Sequence, residues 1–264
     1  MLTYNNLTLN QNKMKKILVF LALIPMMVNA QSLIGGKNII KANLSSLAFG
    51  NYHVTYERSF LKKMSLSVSY RTVSKRALPL ESITKNFIDD PNLNFGRFEL
   101  GNTAITPELR LYLGIGKMRG FYIAPYARFA TFDFTVPVKY TTPTTPQTPN
   151  GSTDADFVGK IKSTSGGLMF GVQHQIFKKL VFDFWILGGH YGSSNGELIA
   201  DISKNPAPIG SSNRTSLQSA IDGLDVAPFK VKGTIATDGK SASITSEGPW
   251  AGVRALGISL GFRF

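Results

Sequence analysis

The ten residues Ala255-Leu-Gly-Ile-Ser-Leu-Gly-Phe-Arg-Phe264 decide the fold. Leu256, Ile258, Leu260, Phe262 and Phe264 fall on one face at a period of two, and Ala255, Gly257, Ser259, Gly261 and Arg263 fall on the other. Strict alternation over this length is the pattern of a strand with one apolar and one polar face. Seven earlier segments read the same way, over roughly 38–47, 51–60, 63–74, 102–114, 119–138, 157–177 and 180–192. In 102–114, for example, Ile105, Pro107, Leu109, Leu111 and Leu113 oppose Thr106, Glu108, Arg110 and Tyr112. Apart from one short connection near Phe49-Gly50, the connections alternate in length. Those around 61–63, 116–119 and 178–179 are tight and basic; those near 75–98, 139–156 and 193–249 are long. Within the last, Arg214 to Leu224 can form a short helix, and Phe229–Ile235 with Ser241–Ser246 flank Asp238-Gly239 as a hairpin.

The two faces differ in a way that selects the surroundings. One carries Leu, Ile, Phe, Val and Pro. The other carries Gly, Ser, Gln and Tyr together with Lys41, Glu57, Arg71, Glu108, Arg110, Arg128, Asp183 and Arg263. A dry soluble core cannot take that second face, because unpaired buried charges cost several kcal/mol each. Turned toward the axis of a closed sheet, those charges can pair with one another while the apolar face meets lipid. The sequence therefore predicts an all-β, eight-stranded antiparallel up-and-down transmembrane β-barrel with long extracellular loops and short periplasmic turns. Eight strands leave an interior just wide enough for side chains, so the eight charges read as a network that plugs the lumen. Inward Gly167, Gly171, Gly257 and Gly261 suit a crowded wall. By parity, Arg58, His174 and Arg254 face the lipid near strand ends.

The N-terminus points to the same place. Lys13, Lys15 and Lys16 precede an apolar run from Ile17 to Val28, and Val28-Asn29-Ala30 supplies small residues. This is the layout of a secretory signal peptide, and the run is shorter than the ~20 residues of a spanning helix. Residues 1–30 are read as an extension plus signal peptide, with Met14 as the start and cleavage after Ala30; residues 31–264 are the barrel. Of 29 basic residues, 26 remain after those three lysines, against 16 acidic. An exported chain of that charge is matched to anionic membrane surfaces rather than nucleic acid. No cysteine is present, which excludes disulfides and thiolate metal sites.

Asn38-Ile-Ile-Lys-Ala-Asn-Leu-Ser-Ser-Leu47, Thr55-Tyr-Glu-Arg58, Ile105-Thr-Pro-Glu-Leu-Arg-Leu-Tyr112, Phe121-Tyr-Ile-Ala-Pro-Tyr126 and Gly248-Pro-Trp-Ala-Gly-Val-Arg254 resemble, in that order, the small outer-membrane barrels of Bacteroidota. These form an uncharacterised domain family within the OmpA/OmpW-like group. The resemblance implies an outer-membrane location and no catalytic residue. The expected partners are outer-membrane lipid, lipopolysaccharide, and the barrel-assembly machinery acting on the C-terminal strand. No nucleic acid, no cofactor and no metal are expected, and the ligand of the loops is left open. The three histidines lie on separate strands without ligand spacing.

One further likeness is weaker. His190-Tyr-Gly-Ser193-Ser194-Asn195, followed by Glu197, is similar to the His-x-Ser-Asn signature of PagL-type lipid A deacylases. The spacing departs from that family: in a strand, His190 and Ser194 share a face about 13 Å apart, beyond the reach of a nucleophile and its base. The expected role is non-enzymatic, structural or in surface interaction. Passage of small hydrophobic molecules by an OmpW-like route is the alternative, and lipid A modification is a third.

Overall fold

The computed structural model of the chain describes residues 36–77, 93–114, 116–203, 211–224 and 226–264. The expected signal segment 1–30, with Met14 and Ala30, and most of the connection 75–98 lie outside the described residues. The elements are β1 (Asn38–Asn43), α1 (Leu44–Ala48), β2 (Tyr52–Leu61), β3 (Met64–Ala77), a 3₁₀ turn (Phe95–Arg97), β4 (Glu99–Tyr112), β5 (Gly120–Thr141), β6 (Ser152–Ile176), β7 (Leu180–Asp201), α2 (Ser211–Asp222), β8 (Lys230–Ile235) and β9 (Ser241–Arg263).

All strands belong to one antiparallel sheet, ordered β1 to β7, then β9, then β8. Pairing of β1 with β9 closes it into a ring of eight strands, and β8 flanks the start of β9. Closure rests on a short contact, from Ile39 opposite Arg263 to Asn43 opposite Ser259. The 38–47 segment is not one strand as expected. Asn43 caps α1 by accepting a hydrogen bond from the Ser46 amide at 2.7 Å, and this local bond outcompetes further pairing. The consequence is a seam. Among the described residues Gly248–Ile258 of β9 pair only with β7, and α1 lies against their other side, where Ser45 Oγ accepts from the Ile258 amide. Arg76 on β3 holds the far end of this patch through the Phe49 carbonyl and Asn51 Oδ1.

The polarity of the sheet inverts along its length. Toward the tight turns the outer face is apolar: Tyr52, Val54, Leu66, Val68, Ile105, Phe121, Phe129, Leu168, Phe170 and Leu260 are among its exposed side chains. Toward the long connections the inner face becomes apolar instead. Val138, Tyr140, Phe157, Leu198, Ala200, Ala242 and Ile244 are buried around Leu217, Ala220 and Ile221 of α2, while Lys139, Lys160, Lys162, Glu197 and Glu247 face out. This second core keeps the long strands paired beyond the expected loop boundaries. β5 and β6 run on to Thr141 and from Ser152, and β7 and β9 cover 193–201 and 241–249 of the expected 193–249 loop. The expected helix and hairpin within that loop are α2 and β8–β9.

Candidate functional site

The ring interior is the candidate site, and its charged centre is built from six strands. Lys41 on β1 donates to Glu57 Oε2 on β2 and to Asp183 Oδ2 on β7, both at 2.6 Å. Arg110 on β4 donates to Asp183 Oδ2 at 2.7 Å and to Glu108 Oε2 at 2.8 Å, with Glu57 Oε2 at 3.4 Å. Arg254 on β9 donates to Glu108 Oε1 at 3.0 Å. Gln173 Oε1 on β6 accepts from Lys41 at 2.8 Å and Arg110 at 3.3 Å.

The remaining carboxylate oxygens take hydroxyl protons, from Ser65 (2.6 Å) and Tyr112 (2.5 Å) onto Glu57, and from Tyr122 (2.8 Å) onto Asp183. Three cations thus meet three carboxylates, with no net charge left at the centre. Arg110 and Glu57 are fully buried. Such a network is tolerable only when complete, because low polarity makes each missing partner costly.

The inward glycines let aromatic rings close the space around it. A Cβ on Gly171 would sit 2.4 Å from the Tyr122 ring, and one on Gly257 would sit 2.3 Å from Trp185. On Gly261 it would meet the Lys41 stem at 2.5 Å. The guanidinium of Arg110 lies 4.4 Å from the Tyr122 ring centre.

Of the eight residues expected in the network, Lys41, Glu57, Glu108, Arg110 and Asp183 meet there. Arg71 and Arg128 share the interior but lie nearer the long-connection end, where Arg128 donates to Thr106 Oγ1 and Asn102 Oδ1. Arg263 sits at the tight-turn end, donating to the Gly36 and Lys117 carbonyls and to Gln175 Oε1.

Arg254 requires a correction: it points inward, not toward the outside. The parity rule fails because β7 and β9 both break alternation at one height. Gly171 pairs with Trp185, whereas Phe170 pairs with Leu187, so β7 carries an extra residue. Beside it Leu256 adopts φ +52°, in the left-handed region. Ile186 with Leu187, and Ala255 with Leu256, all face out, and residues beyond them change face. The two adjacent apolar pairs were the available signal, legible only once the strands are known to be neighbours. Arg58 and His174 do face out, as expected. In the C-terminal strand Leu256, Ile258, Leu260 and Phe262 face out. Phe264 follows β9 and exchanges backbone hydrogen bonds with Asn38.

The residues that carry the weaker, hydrolase-like resemblance do not come together. His190 Nδ1 is paired with Ser165 Oγ at 2.8 Å, whereas Ser194 Oγ donates to the Gly248 carbonyl. Ser193 and Glu197 are exposed. Among the described residues no three metal-ligating side chains are grouped, and no helix is long and apolar enough to cross a membrane. Neither the protein-family models nor the curated proteins searched contain a match to this chain.

Proposed function

We propose that the chain is an outer-membrane β-barrel of the Bacteroidota type, a non-enzymatic anchored scaffold with a plugged lumen and an ordered cap for surface interaction. The observation that carries this reading is the outer belt. Along β5 it runs from Phe121 through Ile123, Pro125 and Ala127 to Phe129, after which Thr131 and Asp133 follow. Those eight residue steps, at about 3.4 Å each and a tilt of about 40°, give roughly 21 Å of height, close to the ~25 Å apolar band of membrane barrels. Arg58 and His174, which face outward on β2 and β6, lie toward the tight turns, where headgroups are within reach. In water the same belt would be an exposed apolar surface wrapped round a polar interior, the reverse of a soluble fold.

In this reading the tight turns with Lys62, Lys63, Lys117, Arg119, Lys178 and Lys179 face the periplasm. The apolar belt meets outer-membrane lipid, and Lys160 and Lys162 lie at the height of lipopolysaccharide headgroups. The C-terminal strand serves the assembly machinery. The long strands and α2 form a rigid extracellular cap.

The test is fractionation together with solution behaviour. The protein should enter the outer membrane after export and change gel mobility on heating. It should need detergent to stay folded. A folded monomer of residues 31–264 in detergent-free buffer overturns the reading. Trimming 203–241 should abolish surface binding while leaving membrane insertion intact.

A second reading, lateral passage of small hydrophobic molecules, is favoured by the seam beside β9. There Leu47, Phe49, Val253 and Leu256 are exposed around strand residues that lack a partner on one side. Uptake that is unchanged by deletion of the gene removes that alternative.

A further inference from the structure

Above the neutral centre the interior becomes strongly positive. Arg71, Arg128 and Arg254 come together with His53, Tyr126 and Trp185. The Arg254 guanidinium stacks 4.5 Å from the Trp185 ring centre and 5.1 Å from that of Tyr126, and His53 lies 5.0 Å from Trp185. Among the described residues Glu108 is the one carboxylate ion-paired with this group, and Arg110 already shares it. Among the described residues Arg71 and Arg128 have no acidic partner. Arg71 Nε, Arg254 Nη2 and Trp185 Nε1 are buried donors with no hydrogen-bond acceptor among the described residues. Arg128 is 7% exposed and Arg254 9%.

Two of these groups, Arg71 and Arg128, line a cavity of about 270 Å³ whose wall also includes Asn51, Arg76, Asn102 and Phe132.

Buried guanidinium groups without counter-charge are unfavourable, and buried donors without an acceptor, Arg71 Nε on the cavity wall among them, call for an explanation such as a bound group. One planar carboxylate is saturated by one bidentate arginine, whereas a tetrahedral oxyanion offers oxygens in several directions to several guanidiniums. We propose that this chamber is a binding site for a phosphate group, either free phosphate or the headgroup of a phospholipid.

The test is calorimetric titration of inorganic phosphate into the refolded full chain, held in phosphate-free, uncharged detergent at constant ionic strength. Saturable one-site binding is expected. Arg71→Gln and Arg128→Gln should each weaken it roughly tenfold, the worth of one hydrogen bond to a charged group. Lys160→Gln on the outer face should leave it unchanged.

A second arm adds phosphatidic acid or phosphatidylcholine to the micelles. Displacement of phosphate by phosphatidic acid alone assigns the site to a lipid headgroup, and no displacement assigns it to free phosphate. Heat-dependent gel mobility verifies folding of each variant. Should the Gln variants not fold, Arg128→Lys, which keeps the charge but loses the fork, is expected to bind several-fold more weakly than wild type. Absence of saturable binding to the wild type in both arms overturns the proposal, as does unchanged affinity in a folded Arg128 variant.

Discussion

Replacing Arg110 by Met tests the charged centre most directly. The substitution keeps much of the side chain's length and removes its charge, so the volume left empty is small. What remains is Lys41 and Arg254 against Glu57, Glu108 and Asp183. Asp183 loses its 2.7 Å partner, Glu108 loses two donated hydrogen bonds, and Tyr122 loses the cation over its ring. Breaking a buried pair by removing one partner costs about 3–5 kcal/mol, and Arg110 is fully buried within the network, so the upper half of that range is expected. The assay is urea unfolding of the protein inserted in lipid vesicles, followed by tryptophan fluorescence and by heat-dependent gel mobility. Asp183→Asn in the same chain restores equal numbers of cations and carboxylates, and should recover at least ~1.5 kcal/mol, within the range of coupling between contacting residues. A loss below about 1 kcal/mol for Arg110→Met, or strict additivity of the two substitutions, would refute the claim that the centre is a mutually dependent network.

Two further outcomes follow from the inversion of polarity along the sheet. Val68→Arg places a charge in the apolar belt and should cost about 2–4 kcal/mol of folding free energy in vesicles, whereas Ser74→Arg on the same strand should cost little; equal effects would contradict the belt. Leu217→Ala on α2 opens the core of the cap and should cost about 2–5 kcal/mol there. Limited proteolysis should then cleave the cap while the heat-dependent mobility of the ring is unchanged.

Much of this architecture was legible from alternation alone. The ring strands, apart from the far end of the first, and five of the eight network residues follow from which side chains fall at even or odd positions, and the tight turns fall where that alternation breaks. Alternation carries that information because one face is buried, so that a slip by one residue exposes every side chain to the wrong surroundings. It failed where two neighbouring strands change face together. Ile186-Leu187 and Ala255-Leu256 are ordinary apolar pairs in a linear reading, and only their adjacency across β7 and β9 makes them a joint bulge that sends Arg254 inward. It also failed where the faces exchange character. Glu197, Asp201, Lys139 and Asp154 look like loop residues until Leu198, Ala200, Tyr140 and Phe157 between them are seen to bury against α2. Arg71 and Arg128 were correctly placed inside. Their height along the axis, which separates them from the carboxylates, is set by register between strands and is not encoded in any one segment.

The short first strand has a consequence for how the ring is completed. Lys41 sits on the strand that joins the two ends of the sheet, and its ammonium touches a carboxylate on each side of that join, Glu57 on β2 and Asp183 on β7. Until β1 docks, those two acids have one fewer cation between them and repel each other across an open edge. A docking displaced by one residue would send Ile40 or Ala42 into the ionic centre and leave the lysine on the apolar outer face, a double fault that no local rearrangement repairs. The molecule therefore proofreads its own final stitch: the only alignment that neutralises the centre is the one that shuts the wall.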